Sequence, residues 1–325
     1  MPRSDYFLIK CTGGGTAQLL ALVDAIYLSI KFNKDFKIRY YPYSTGTFWN
    51  FEIQELLLNQ EIVDIGVTRG LNATNFVSGD YIADFPLRRS GFSYEKALQL
   101  VHRFKLDVVF RRFRGEIVVG GKRKNLEKVK RRTLSVSGNF IPLINKEVFI
   151  ELSKRFDKAQ IPNPFNPIET NQDVVIHYRL GDMRKMPARS THMGGHGVVD
   201  PETFKQILKL LEFDVDKLTV KLVSDEPDIG IQLLRDVGIK ATTHSSTPSI
   251  WQDLKSIASA NIFIGSMSQF SFFGAMLCSY QGGKPYLPSK VYGAGDVQAE
   301  LQIDEFNYFD YKYLAQDHYL FQTNL

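Results

Sequence analysis

Cysteine is scarce: the 325 residues hold two, Cys11 and Cys278. Neither stands in a C-x-x-C pair, so neither a disulfide framework nor a thiolate metal site organises this chain. Cys11 ends an apolar run and Cys278 falls in a helical pattern, as buried thiols do. Long apolar runs are missing too. The nearest, AQLLALVDAIYLSI, is interrupted by Gln18 and Asp24 and falls short of the ~18 apolar residues of a membrane-spanning helix. The N-terminus, MPRSDYFLIK, is too polar for a secretory signal, which gives the expectation of a reducing, cytoplasmic setting. The Asn72-Ala73-Thr74 sequon then carries little meaning. No nucleophile elbow, Walker A loop or H-E-x-x-H is found, nor any internal repeat.

What is present describes a globular chain with an anion-seeking surface. Hydrophobic residues make up 44% and charged residues 23%, which excludes global disorder. The 24 Phe and 15 Tyr can fill a core, and some can line a sugar- or base-stacking site. The net charge of +5 favours anionic partners, and it is unevenly spread. Residues 111–133, RRFRGEIVVGGKRKNLEKVKRRT, carry ten Lys or Arg against two Glu. That stretch is either a solvated basic face or a docking surface for anionic lipid or an anionic acceptor.

The pattern along the chain is α/β. A strand at 6–11 runs into the loop Thr12-Gly13-Gly14-Gly15-Thr16 and then a helix to about residue 32. Strands follow near 36–40 and 62–66, with a helix at 52–59 between them. A helix at 92–105, a short strand at 107–110 and a helix at 146–157 complete the first half. Pro162, Pro164 and Pro167 cannot continue a helix or central strand and mark a linker. The expected domains are 1–160, a linker at 161–170, and 171–325, with the option that the C-terminal tail returns to the first domain. In the second half the rhythm is regular. Strands at 173–179, 218–224, 238–242, 261–264 and 284–287 alternate with helices from 201, at 227–236, at 249–258 and at 269–280. That alternation implies a parallel, Rossmann-like sheet.

Three segments in this half place polar residues at the carboxyl end of a strand: His177 to Asp182, Ser224-Asp225-Glu226, and Gly265 to Gln269. In a parallel sheet those ends share one edge, where ligands bind. An arginine there makes bidentate, charge-assisted bonds to phosphate. A Gly-Ser turn opening a helix presents free amides and the positive end of the helix dipole. An aspartate accepts from a ribose hydroxyl or a base N–H. Together they describe a site for a nucleoside diphosphate. The glycine loop at 13–18 lets backbone approach a ligand but is not a G-x-G-x-x-G fingerprint. His192 and His196, in THMGGHG, fall short of a metal set because no further ligands can be named, so they are assigned to a loop.

These segments resemble the fucosyltransferase superfamily of α-1,2-, α-1,6- and protein O-fucosyltransferases, and the motif layout is most similar to the α-1,2 branch. His177-Tyr178-Arg179-Leu180-Gly181-Asp182 resembles its H-x-R-R-x-D motif. Ser224-Asp225-Glu226 resembles the second, often S-D-D. ANIFIGSMSQFSFFGAML, residues 260–277, resembles the third. Trp251-Gln252-Asp253-Leu254 stands where that branch has W-x-D followed by Leu or Phe, and GGGTAQ stands where it has G-G-L-G-N-Q. The likeness covers residues 170–290 and thins before them. It departs at Leu180, where the family has a second arginine, and at Gly15, Thr16 and Ala17.

The resemblance implies a GT-B-like α/β architecture, two Rossmann-like domains facing across a cleft. It implies inverting transfer of fucose from GDP-fucose to a glycan hydroxyl, with no cofactor and no metal. By motif, His177 and Asp225 contact guanosine and Arg179 holds the β-phosphate. Ser268 and Gln269 close on the pyrophosphate, and Gly14 and Gly15 approach the donor. Arg179 and Asp182 are the catalytic candidates. The proton acceptor is open among Asp182, His192, His196 and Asp24. The expected partners are a nucleotide sugar and a glycan, with peripheral contact to anionic membrane through 111–133 and no nucleic acid. The alternatives are another GDP- or UDP-sugar on the same fold, and a nucleotide- or polyanion-binding protein without transfer activity.

Overall fold

Alternating apolar strands and amphipathic helices fold into two α/β units, Met1–Ala159 and Gln160–Leu325. The computed structural model describes residues 6–11, 15–33, 35–40, 55–56, 62–65, 116–118, 135–137, 145–166, 172–184, 197–243, 249–289, 303–314 and 318–322.

In the first unit, β1 (Tyr6–Cys11) leads to α1 (Gly15–Phe32), which ends where Asn33 adopts a left-handed φ of 46°. β2 (Asp35–Tyr40), β3 (Ile62–Ile65), β4 (Glu116–Val118) and β5 (Ser135–Ser137) complete a parallel sheet in the order β3-β2-β1-β5-β4. α2 (Lys146–Ala159) starts at Asn145, whose Oδ1 accepts the amides of Glu147 and Val148. It buries Val148, Phe149, Leu152 and Phe156, spaced to lie on one face.

Two of these strands were not expected. β4 lies inside the basic stretch and β5 follows it; at three residues each, neither is long enough to show a period of two. Apart from β4, residues 111–133 lie outside the described residues. So do the strand expected at 107–110, the helix at 92–105 and nearly all of the helix at 52–59.

The second unit follows its expected rhythm closely. Its strands are β6 (Gln172–Tyr178), β7 (Thr219–Ser224), β8 (Lys240–Thr242), β9 (Ala260–Ile264), β10 (Lys284–Pro288) and β11 (Asn307–Phe309). Between and after them run α3 (Gly181–Arg184), α4 (Pro201–Leu210), α5 (Pro227–Asp236), α6 (Ile250–Ala258), α7 (Gln269–Tyr280) and α8 (Tyr319–Gln322). All six strands are parallel, in the order β11-β10-β9-β6-β7-β8. Val174, Val175 and Ile176 of the central β6 are buried on both faces, as helix-covered parallel strands require.

The chain leaves β6 in one direction through β7 and β8, then returns to the other side of β6 with β9. The order therefore reverses between β6 and β9, the place where sheets of this kind bind ligands at the carboxyl ends of their strands. The described part of the C-terminal tail joins this unit. It supplies edge strand β11, and Tyr313 bridges to Val199. The proline segment also packs here rather than spanning solvent. Phe165 stacks edge-on against Tyr280 at 5.9 Å, and its carbonyl accepts from Gln281 Nε2 at 2.6 Å. Among the described residues no helix is long and apolar enough to cross a membrane.

Candidate nucleotide site

The reversal point of the second sheet is flanked by the loop after β6 and the loop after β9. The three polar segments picked out in the sequence meet there through hydrogen bonds.

His177 lies near the end of β6 with 6% of its surface exposed. Its Nδ1 is 2.5 Å from Ser271 Oγ and 3.3 Å from Ser266 Oγ, and its ring tilts against Phe270 at 4.8 Å. Burial, aided by the Arg179 guanidinium, pushes its pKa down to about 3, so the ring is neutral at ordinary pH. Arg179 follows β6 and is half-buried; its amide donates to Ser266 Oγ at 3.0 Å, which ties the β6 loop to the β9 loop.

Asp225 binds the second segment to the first. Its Oδ1 accepts the Leu180 amide at 2.8 Å and its Oδ2 the Gly181 amide at 3.0 Å. Gly181 is required by this contact, since a Cβ there would lie 2.7 Å from Oδ2. Ser224 adds a second tie, donating from Oγ to the Tyr178 carbonyl at 2.7 Å while accepting the Glu226 amide. The motif assigns Asp225 to the nucleoside; in the structure each carboxylate oxygen takes a backbone amide, so it shapes the Arg179 loop. Leu180 is fully buried in the core with Met183, Leu222 and Leu233. A side chain at 180 therefore belongs to packing, not to the sheet edge.

After β9, Gly265 permits close approach: a Cβ there would lie 2.6 Å from Leu287 Cδ2 and 2.8 Å from Ser271 Cβ. Ser268 caps α7, its Oγ accepting the Ser271 amide at 3.0 Å. The amides of Gln269 and Phe270, in the first turn, have no acceptor within the helix and present its positive end. Ser268 itself is thus engaged as a cap, while Gln269 is half-buried at the helix mouth.

The structure links His177, Arg179 and Asp225 through Ser266, Ser271 and the Leu180 and Gly181 amides, with Ser268 capping, and Gln269 opening, the helix that carries Ser271. Asp182 lies in α3, with its side chain outside the described positions. Gly15 opens α1 of the other unit. Gly14, His192 and His196 lie outside the described residues. Asp24 is 3% exposed within α1. No cluster of three His, Cys, Asp or Glu that could hold a metal occurs among the described residues. Cys278 is buried as expected, and burial pushes its thiol up to about 12. Ser266 and Ser271 were missed as individual participants. The available sign was a serine inside the apolar run of α7, because a buried hydroxyl requires a partner.

No family model matches the chain, and no curated protein matches it. Several solved structures are similar over most of its length. The crystal structure of POFUT1 in complex with GDP is 12% identical, covering 88% of this chain and 98% of that one, with a TM-score of 0.38. The Escherichia coli heptosyltransferase WaaC with ADP is 12% identical, covering 94% and 93%, with a TM-score of 0.43. An Arabidopsis thaliana FUT1 mutant in complex with GDP is 9% identical, covering 88% and 70%, with a TM-score of 0.41. Scores this low do not separate one two-unit α/β protein from another.

Proposed function

We propose that the chain is a GT-B-like glycosyltransferase that moves fucose from GDP-fucose to a glycan hydroxyl, with inversion and without a metal. The observation that carries this reading is the convergence at the β6/β9 reversal of Arg179, the neutral His177 and the N-terminus of α7. These are a cation, a directional ring nitrogen and an anion-seeking helix end at the place where such sheets take nucleotides. The three-motif resemblance supplies the choice of GDP-fucose.

The chemistry follows from charge. The acceptor oxygen attacks the anomeric carbon as the bond from that carbon to the β-phosphate oxygen breaks. The bonding electrons leave with GDP, and the hydroxyl proton departs to a base or to solvent. Negative charge grows on the β-phosphate, where Arg179 and the α7 amides supply the opposing charge. Loss of one such preorganised donor costs about 2.7–4 kcal/mol, or roughly a hundred- to a thousand-fold in rate. The burial of Leu180 in the core means that a second arginine at that position would have met packing rather than phosphate. The candidates for the proton are Asp182, His192, His196 and Asp24. Contact of residues 111–133 with anionic membrane at the cytoplasmic face belongs to the same proposal.

The test is nucleotide release from GDP-fucose, GDP-mannose, UDP- and ADP-sugars in the presence of glycan acceptors, with and without EDTA. GDP-fucose turnover that survives EDTA is expected. Arg179→Ala should lower it by at least the range above while thermal unfolding stays cooperative. Turnover of Arg179→Ala equal to the unmodified protein would remove Arg179 from the mechanism.

A further inference from the structure

We propose that Ser271 fixes the tautomer of His177, so that this imidazole meets the bound nucleotide as a neutral Nε2–H donor. Ser271 is thereby a positioning residue of the site.

Ser271 is 1% exposed, so its hydroxyl proton needs a partner within the protein. A serine in a helix can turn back to a carbonyl one turn earlier, but here Oγ lies 2.5 Å from His177 Nδ1. Ser266 reaches the same nitrogen at 3.3 Å. Its oxygen accepts the Arg179 amide, and in our assignment its own proton points toward Nδ1. Two hydroxyls thus face one ring nitrogen. A neutral imidazole that accepts at Nδ1 carries its hydrogen on Nε2.

The surroundings hold the ring in this state. Ser266, Phe270 and Ser271, which touch it from the β9 loop and α7, are uncharged, and Arg179 is the charged group acting on it. Protonation would place a second cation beside Arg179 in a buried site. The ligand atom facing Nε2 must then be an acceptor, such as a ring nitrogen, carbonyl or phosphate oxygen. That the ligand is GDP rests on the proposed function; the tautomer does not.

The experiment is long-range proton–nitrogen NMR on the full chain labelled with 15N-histidine, with His177 assigned by its loss in His177→Gln. The expected spectrum shows a bare Nδ1 and a protonated Nε2, unchanged between about pH 5 and pH 8. Ser271→Ala should shift His177 toward a mixture of tautomers and weaken GDP binding about tenfold. GDP should displace the Nε2 resonance of the unmodified protein. A protonated Nδ1 in the unmodified protein would overturn the inference whether or not the variant folds. So would an unchanged tautomer in Ser271→Ala, or GDP that stabilises the protein without moving Nε2. If GDP does not bind at all, the proposed function fails, and the ligand-free spectrum still decides the tautomer.

Discussion

His177 makes the sharpest demand on solution conditions. Its folded pKa of about 3 lies below the 6.5 of an unburied histidine. Between those values the unfolded chain holds a proton that the folded chain refuses. The stabilising contribution is therefore full above pH 6.5 and is lost as pH falls toward 3. The slope from this one group is at most about 1.4 kcal/mol per pH unit. Urea unfolding of His177→Gln should show a shallower acid slope than the unmodified protein in that window; identical slopes would mean that the ring is not buried as described. Asp225 and Gly181 form a second residue-scale test. Asp225→Ala and Gly181→Ala each break the same clamp and should each cost about 1–2 kcal/mol. Once the carboxylate is gone the added Cβ meets nothing, so the double variant should cost little more than Asp225→Ala alone. Additive losses in denaturant unfolding would show that the two do not act through one contact. His177, Arg179 and Asp225 were visible in the sequence because ionisable groups ended apolar strands. The bracing role of Asp225 was not, because its amide partners lie 44 and 45 residues away and amides carry no sequence mark.

At the scale of elements, α7 and its flanking turns decide whether the site forms. The turn into β10 contains two glycines with opposite needs. Gly282 has a φ of 91° and open space where a methyl group would stand, so Gly282→Ala faces backbone strain of about 1–2 kcal/mol. At Gly283 a Cβ would lie 2.2 Å from the Ala260 carbonyl oxygen and 2.6 Å from Cys278 Sγ. Neither group has room to retreat, since Cys278 is buried and Ala260 begins β9. Gly283→Ala should therefore cost more than about 3 kcal/mol, and it should weaken the β9–α7 seam that carries Ser266 and Ser271. Equal melting temperatures for the two variants would contradict this packing. Most second-unit elements were legible because they span enough residues to show a period; β8, three residues long, was legible from the apolar stretch leading into it. β4, β5, α3, β11 and α8 were not, being only three or four residues long. Short segments of this kind are held by their neighbours in the sheet rather than by local preference.

At the scale of the molecule, the order of strands matters more than their number. Two α/β units were readable from the alternation of elements and the prolines after residue 160. The reversal between β6 and β9 was not, because strand order depends on pairings between residues far apart, such as Val174 with Ile262. In the first unit the insertion of β5 between β1 and β4 was likewise invisible. The central claim is that this reversal holds a nucleoside diphosphate without a metal. Thermal unfolding with GDP, UDP, ADP and CMP, each with and without EDTA, tests it most directly. A ligand at a hundred times its dissociation constant adds about 2.7 kcal/mol of stability. The account predicts a GDP-selective rise in melting temperature that survives EDTA and is reduced in Arg179→Ala. No shift with any of the four nucleotides, or a shift abolished by EDTA, would contradict it.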